Sequence, residues 1–247
     1  MKVTRETIQL QSKEHWLELR AKNLNSTDIA ALFDMNPYCT ILDLWHQKKL
    51  GVTTSIEENE RMRIGSRVEH VIAQEVADRN GWTIEPMKFY MQIPELRLGS
   101  SSDYSIKTPF RGIIECKNVD YLIYRDQWTE DDDGNIEAPA HIELQAQSQM
   151  HVSGLDKLHI GVMIGGNQIK NFLRTPDEGI VNEILRRSKE FWTSIDKGEP
   201  PQPDFTCDSE FIISLYQMAE AKKVKDSRGD NKLLELAQKY RAAMDLS

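Results

Sequence analysis

The stretch that decides the fold runs from Gly99 to Asn118, GSSSDYSIKTPFRGIIECKN. Its last strand begins as an apolar run, Gly112-Ile113-Ile114, and then breaks into Glu115-Cys116-Lys117, twelve residues on from the lone acid Asp103. A strand alternates its faces with period two, so Glu115 and Lys117 point one way while Ile114 and Cys116 point the other. An acid and a base therefore share a face of a strand that otherwise reads as buried. Asp103 belongs to the strand before it, with the turn TPFRG (108–112) between the two.

Outward from this pair, the chain reads as alternating helices and short strands. WTIEPMKFYMQIPE (82–95) and RLGSSSDYSIK (97–107) are strand-like, and with IIECKN they predict one meander that sets Asp103 and Glu115 on neighbouring strands. Before it lies the clearest helix, Glu60 to Asn80, with Val68, Val71, Ile72, Ala73 and Val76 at core spacing and Gly81 as the stop. Glu69 sits on that helix. After it, Pro139 opens and Gly154 closes a helix on which Gln145 and Gln149 lie four apart and share a face. LHIGVMIGGNQIKNFLR (158–174) predicts a hairpin about a Gly-Gly-Asn turn, and GIVNEILRRSKEFWTSIDKG (179–198) an amphipathic helix. Near the start, helical patterns surround Trp16 and follow a capping signal at Ser26-Thr27-Asp28; ILDLWHQKKLG (41–51) is a helix stopped by glycine. VTTSIEENE (52–60) and EDDDGN (130–135) read as polar loops, and two helical stretches follow residue 208.

The 247 residues suffice for one substantial core, or for one domain with an appendage; we expect a domain over 1–205 and a helical extension over 206–247. Hydrophobic residues make up 39% and charged ones 28%, an ordinary water-facing composition, and no run of about 18 uncharged apolar residues is present to span a membrane. The first residues lack the apolar stretch of a secretory signal, so the expectation is a cytoplasmic protein. Cys39, Cys116 and Cys207 are scattered and odd in number, so neither a disulfide framework nor a CxxC metal knuckle can be read from them, and a four-cysteine cluster is excluded within one chain. A net charge of -8 argues against a passive nucleic-acid coat held by bulk attraction. It leaves room for an enzyme that meets phosphates through metal ions and a few local cations.

Glu69, Asp103, Glu115 and Lys117 form a set of three carboxylates and one ammonium that can converge. Hard cations such as Mg²⁺ take carboxylate oxygens and keep several waters, and the backbone carbonyl of Cys116 is placed to add one more oxygen. A lysine beside such a site can hold or deprotonate the attacking water and stabilise the transition state of phosphodiester hydrolysis. On residue types alone, an Asp, a Glu and a Lys on a hairpin read equally well as the wet face of an antiparallel sheet. Gln145, Gln147 and Gln149 read equally as a solvated stripe, and Arg20 as an ion-pair partner for Glu18 or Asp28. Trp16 and Trp45 read as core, and the histidines, His141 and His151 among them, show no ligand spacing.

The ordered blocks WLELR (16–20), NSTDIAAL (25–32), NPY (36–38) with LWHQK (44–48), GSRVE (65–69), SSDY (101–104), IECK (114–117) and LQAQSQMHVSG (144–154) resemble the YqaJ-like viral recombinase family, over residues 12 to 205. That resemblance implies an α+β, α/β/α-layered fold of the PD-(D/E)XK, restriction-endonuclease-like type, with a mixed central sheet flanked by helices. It implies a lambda exonuclease-like enzyme that digests linear double-stranded DNA 5′→3′ and leaves 3′ single strands for phage-type recombination. Asp103, Glu115, Glu69 and the Cys116 carbonyl match the family's metal site, with two Mg²⁺ ions, or Mn²⁺ in their place. Lys117 matches its water-positioning lysine and Gln145 its helix glutamine. Arg20 matches an arginine that holds the 5′-phosphate, with the hydroxyl of Thr27 assisting where serine is more usual; Ser26, Gln147 and Arg67 are read as further DNA contacts. The implied partners are DNA ends, a single-strand annealing protein and two further copies in a trimeric ring. SSD stands where the family motif has PD, which removes a proline and keeps the ligand. The same core also serves structure- or nick-specific endonucleases and non-catalytic DNA-binding accessory proteins, and these alternatives stay open on sequence alone.

Overall fold

The computed structural model describes residues 3–51, 59–130 and 135–204, and a few positions beyond (206–209, 211–212, 235, 239 and 241). The chain divides into two compact units, Met1–Asp204 and Phe205–Ser247. Of the expected polar loops at 52–60 and 130–135, residues 52–58 and 131–134 lie outside the described residues, as do most of the helical stretches after 208, while Glu60 already opens a helix and Glu130 ends a short strand.

The first unit is built on two sheets. The larger has the order β11 (Gln168–Arg174), β10 (Leu158–Ile164), β7 (Gly112–Val119), β6 (Tyr104–Thr108) and β3 (Thr83–Pro86). β10 runs parallel to β7 and every other pair is antiparallel, so this is a mixed sheet. The smaller has the order β1 (Glu6–Gln9), β4 (Phe89–Ile93), β5 (Leu98–Ser100) and β2 (Leu24–Asn25). A two-stranded ladder joins β8 (Thr129–Glu130) to β9 (Ile136–Glu137). The expected single meander is therefore corrected: β4 and β5 leave for the smaller sheet, and β3, β6 and β7 alone continue in the larger one. Strand pairing is non-local, and period-two patterning does not say which sheet a strand joins.

The helices are α1 (Lys13–Lys22), α2 (Ile41–Leu50), α3 (Glu60–Asn80), α4 (Tyr121–Gln127), α5 (Ala140–Ser153) and α6 (Glu178–Lys197). The glycines Gly51, Gly81 and Gly154, expected as stops, end α2, α3 and α5 in the left-handed conformation, and Gly198 ends α6 in the same way. The two faces of β7 have different partners. Ile114 and Cys116 pack with Ile72, Ala73 and Val76 of α3, whereas Ile113, with Leu158, Ile160 and Val162 of β10, packs with Ala146 and Met150 of α5. Helix lies over sheet and sheet over helix, the expected α/β/α layering.

α5 lies on the crossover that returns the chain parallel to β7, and nine of its residues are buried. Val71, expected in the core, is 51% exposed, because 100° per residue turns it away from the Ile72–Val76 stripe. The capping signal at Ser26–Asp28 yields a short 3-10 turn, Ile29–Phe33, and Asp28 makes no side-chain cap there. Its carboxylate instead accepts from the backbone and side-chain N–H groups of Asn25, at 3.0 and 2.8 Å.

Gly99 is a close approach. A Cβ there would stand 1.8 Å from the hydroxyl of Tyr90, a fully buried ring whose hydroxyl donates to Asn25 Oδ1 at 2.7 Å. Gly99→Ala is expected to destabilise the domain by about 3 kcal/mol, read as a lowered urea midpoint at unchanged slope. A variant as stable as the parent contradicts this packing.

Candidate active site

β6 pairs with β7 only as far as Tyr104↔Ile114. The next residue of β7 that faces this edge is Cys116, and its N–H donates to Asp103 Oδ2 at 2.7 Å. The side chain of Asp103 thus takes over where the ladder stops. In a strand the N–H and C=O of one residue face the same edge, so the Cys116 carbonyl points to the side on which Asp103 stands.

On the α5 face of β7, Glu115 is 5% exposed, and a carboxylate so buried requires donors. Three side chains provide them. Oε1 accepts from Lys117 Nζ at 2.8 Å and from Gln145 Nε2 at 2.6 Å, and Oε2 accepts from Gln149 Nε2 at 2.6 Å. Lys117 Nζ also donates to Gln145 Oε1 at 3.1 Å, closing a triangle of Glu115, Lys117 and Gln145. These are charge-assisted bonds, roughly twice as strong as neutral ones.

The site's charges act on one another. Burial first, then the neighbouring Glu115 and Glu69 carboxylates, raise the Asp103 carboxyl well above its usual range, against the opposing pull of Lys117. Burial and Glu115 likewise raise Glu69, which lies on α3 within the field of this cluster. Burial pulls Lys117 down, but Glu115 and Asp103 outweigh it and the net shift is upward, so Lys117 stands as an ammonium. Among the described residues, no three His, Cys, Asp or Glu side chains are grouped closely enough to enclose a metal ion as they stand.

A second cluster lies at the end of α1. The Arg20 guanidinium stacks 4.6 Å above the Trp16 ring and donates to Thr27 Oγ1 at 3.1 Å. Asp28 is 3.7 Å from Arg20 but only 2.8 Å from the buried Lys48 ammonium. Burial opposes ionisation of Asp28, and Lys48 and Arg20 more than offset it, holding the carboxyl below its usual range. Lys48 is thus the nearer counter-charge for Asp28, and Arg20 shares its exposed end with the hydroxyl of Thr27. The two clusters meet at Ser101: Trp16 Nε1 donates to its hydroxyl at 3.4 Å and Gln149 Nε2 to its carbonyl at 3.3 Å.

The structure thus joins Asp103 to Cys116, and Glu115 to Lys117 and Gln145, with Glu69 on α3 within their electrostatic field and Arg20 paired with Thr27 nearby. It does not bring Ser26, Gln147 or Arg67 to them. Ser26 is buried and donates its N–H to Gly99 O at 3.0 Å, a backbone tie to β5. Gln147 spends both ends of its amide on the loop before α6, donating to Thr175 O and accepting from Asp177 N. Arg67 is exposed on α3, and a residue two positions from Glu69 does not share its face. The glutamines are buried rather than a solvated stripe. Gln149, Trp16, Ser101 and Lys48 carry parts of the site that sequence reasoning did not assign. The available signal for Gln149 was an amide one turn beyond Gln145 in a helix whose other residues are largely apolar or small.

A mixed sheet with flanking helices and an acid, acid, lysine set at the end of a strand pair define the PD-(D/E)XK type of fold. The chain belongs to the YqaJ-like viral recombinase domain family, which matches residues 15–156. It is similar to a Bacillus subtilis (strain 168) protein, "Uncharacterized protein YqaJ", with 26% identity over 233 residues, 93% of this chain and 70% of the relative. Among solved structures, the alkaline exonuclease LHK-Exo of Laribacter hongkongensis superposes with a TM-score of 0.60 at 15% identity, over 84% of this chain and all of that one. A phage-related exonuclease from Haemophilus somnus 129PT gives 0.50 at 12% identity, over 71% and 94%. These likenesses show a shared fold.

Because the Asp103 carboxyl is raised above its ordinary 3.8, the folded chain binds more protons than the unfolded one between that value and the raised one. Its contribution to stability therefore falls as pH rises through that interval. Asp103→Asn keeps an acceptor for Cys116 N–H and removes the repulsion. In EDTA the variant is expected to melt above the wild type at pH 8, with the gap closing near pH 4. A variant that melts lower at pH 8 contradicts the electrostatic account.

Proposed function

We propose that this chain is a Mg²⁺-dependent deoxyribonuclease that digests linear double-stranded DNA from its ends, 5′→3′, leaving 3′ single strands for phage-type recombination. The observation that carries the reading is the Glu115–Lys117–Gln145 triangle beside Asp103, joined through Gln149, Ser101 and Trp16 to the Arg20–Thr27 pair. The first cluster suits a scissile phosphate and the second the phosphate of a strand end.

The donor set fits a hard divalent cation. Asp103, Glu115 and Glu69 offer oxygen, the Cys116 carbonyl points to the same edge, and the raised carboxyls mark negative charge that a cation relieves. One or two Mg²⁺ ions, with Mn²⁺ as a substitute, would supply charge neutralisation at the phosphate and a more acidic water. Lys117, kept an ammonium by Glu115 and Asp103 and oriented by its bonds to Glu115 and Gln145, orients the attacking water and stabilises charge that builds on the phosphoryl oxygens. Gln145 fixes both partners at once. The water oxygen bonds to phosphorus as the P–O3′ bond breaks, so the released nucleotide keeps a 3′-hydroxyl and the shortened strand begins with a new 5′-phosphate. Arg20 and Thr27 then meet that phosphate, which favours digestion from the 5′ end. The fold neighbour LHK-Exo was also solved with dAMP, a mononucleotide of the kind this reaction releases.

The reading extends to a nuclease domain over 1–205 with an extension to 247, a trimeric ring around DNA, a single-strand annealing protein as partner, and a cytoplasmic site of action. Among the described residues, no helix is long and apolar enough to cross a membrane.

Matched linear and closed-circular duplexes test the proposal, the linear ends carrying 5′-phosphate or 5′-hydroxyl. Loss of linear DNA alone is expected, faster with 5′-phosphate, dependent on Mg²⁺ and lowered at least about 100-fold in Lys117→Ala. Cutting of the circle indicates an endonuclease instead, and binding without cleavage of either substrate overturns the catalytic reading.

A further inference from the structure

Tyr38 is 83% exposed, the most exposed large side chain of its kind among the described residues. It is nevertheless held on two sides. Its N–H donates to Asn36 Oδ1 at 2.9 Å, and Asn36 Nδ2 donates to the carbonyl of Thr27 at 3.2 Å, so the turn that carries the ring is tied to the Arg20–Thr27 pair. On its other side the ring stands edge to face with His141, 6.3 Å between centroids at 90°. His141 lies one turn before Gln145 on α5 and shares its face. Burial, and then the charge of Lys117, lower the His141 imidazole below its usual range, which places it within the field of the site and keeps it neutral at pH 7. A braced aromatic ring thus stands in water between the residues that suit a terminal phosphate and the helix that orders Lys117.

We infer that Tyr38, backed by His141, is the stacking platform for the base of the nucleotide at the 5′ end of the strand being digested. The inference rests on the nuclease reading above and adds to it the group that receives the base. An aromatic face stacks on any base, so it holds the terminal nucleotide without selecting sequence, as an exonuclease requires. A neutral imidazole behind it extends the apolar surface without adding a charge that would compete with Arg20 for phosphate. The base and the phosphate of one nucleotide are then held by separate groups, and drawing that base onto Tyr38 removes it from its pair at the duplex end.

The test uses the full chain and a linear duplex with 2-aminopurine as its 5′-terminal base, Ca²⁺ replacing Mg²⁺ to slow cleavage. Stacking on Tyr38 is expected to quench the fluorescence in the wild type and in Tyr38→Phe. Tyr38→Ala should lose the quench and bind the end about tenfold more weakly, with an unchanged melting temperature because the ring is exposed. An abasic 5′-terminal nucleotide should weaken wild-type binding by the same factor and weaken Tyr38→Ala no further. Quenching and affinity unaltered in Tyr38→Ala, while the wild type still digests linear DNA with Mg²⁺, overturn the platform and leave the nuclease reading standing. So does a change in sedimentation of Tyr38→Ala with DNA binding intact, which marks a protein contact instead. A wild type that neither binds nor digests linear DNA overturns both.

Discussion

The site depends on one constraint: a carboxylate buried on the α5 face of the central strand must be given hydrogen-bond donors. An uncompensated ion in that position costs several kcal/mol, and hydrocarbon side chains from a helix packed over the strand cannot relieve it. Glu115 therefore dictates what α5 carries. Gln145 and Gln149 stand one turn apart and reach its two oxygens, and Lys117 reaches it from the same strand. Both oxygens of Glu115 are thereby satisfied, although Gln149 Oε1 is itself buried without a hydrogen-bond partner, and the paired part of the network is held rigid. A rigid network is also what catalysis by fixed charge requires, since the groups need no rearrangement as the transition state forms.

The same constraint reaches outward. Gln149 has a second acceptor, the Ser101 carbonyl, and Ser101 in turn accepts from Trp16, whose ring lies under the Arg20 guanidinium. A change at the buried carboxylate is thus structurally connected to the Arg20 guanidinium. Lys48 neutralises Asp28 from the interior. A chain of net charge -8 can in this way present local positive charge where a phosphate is expected, without being a basic protein overall.

Much of this was legible in the sequence where the signal is local. Helix ends at Gly51, Gly81 and Gly154 follow from backbone conformations that glycine adopts freely. Period two alone put Glu115 and Lys117 on one face, and the face proved to be the one that α5 covers. What was not legible is non-local. No pattern announces that β4 and β5 join a second sheet, or that Cys116 N–H is left for Asp103 because β6 stops pairing at Tyr104. α5 carries little amphipathic contrast because it is buried nearly all round, so the three glutamines look alike in sequence. Their separate duties, Gln145 and Gln149 on Glu115 and Gln147 on the 175–177 loop, appear only when the neighbours are in place. Trp16 reads as core by composition and acts as a support for Arg20.

The edge shared by Asp103, Glu115 and the Cys116 carbonyl is proposed above as a divalent-cation site for phosphodiester hydrolysis. Its most direct test is a crystal of the full chain grown with Mn²⁺ and a short duplex carrying a 5′-phosphate, measured for anomalous scattering of manganese. The account predicts a peak in contact with Asp103 and Glu115, absent in a crystal of Asp103→Asn. No peak at these residues under saturating Mn²⁺, or manganese bound elsewhere on the chain with the DNA end beside it, contradicts it.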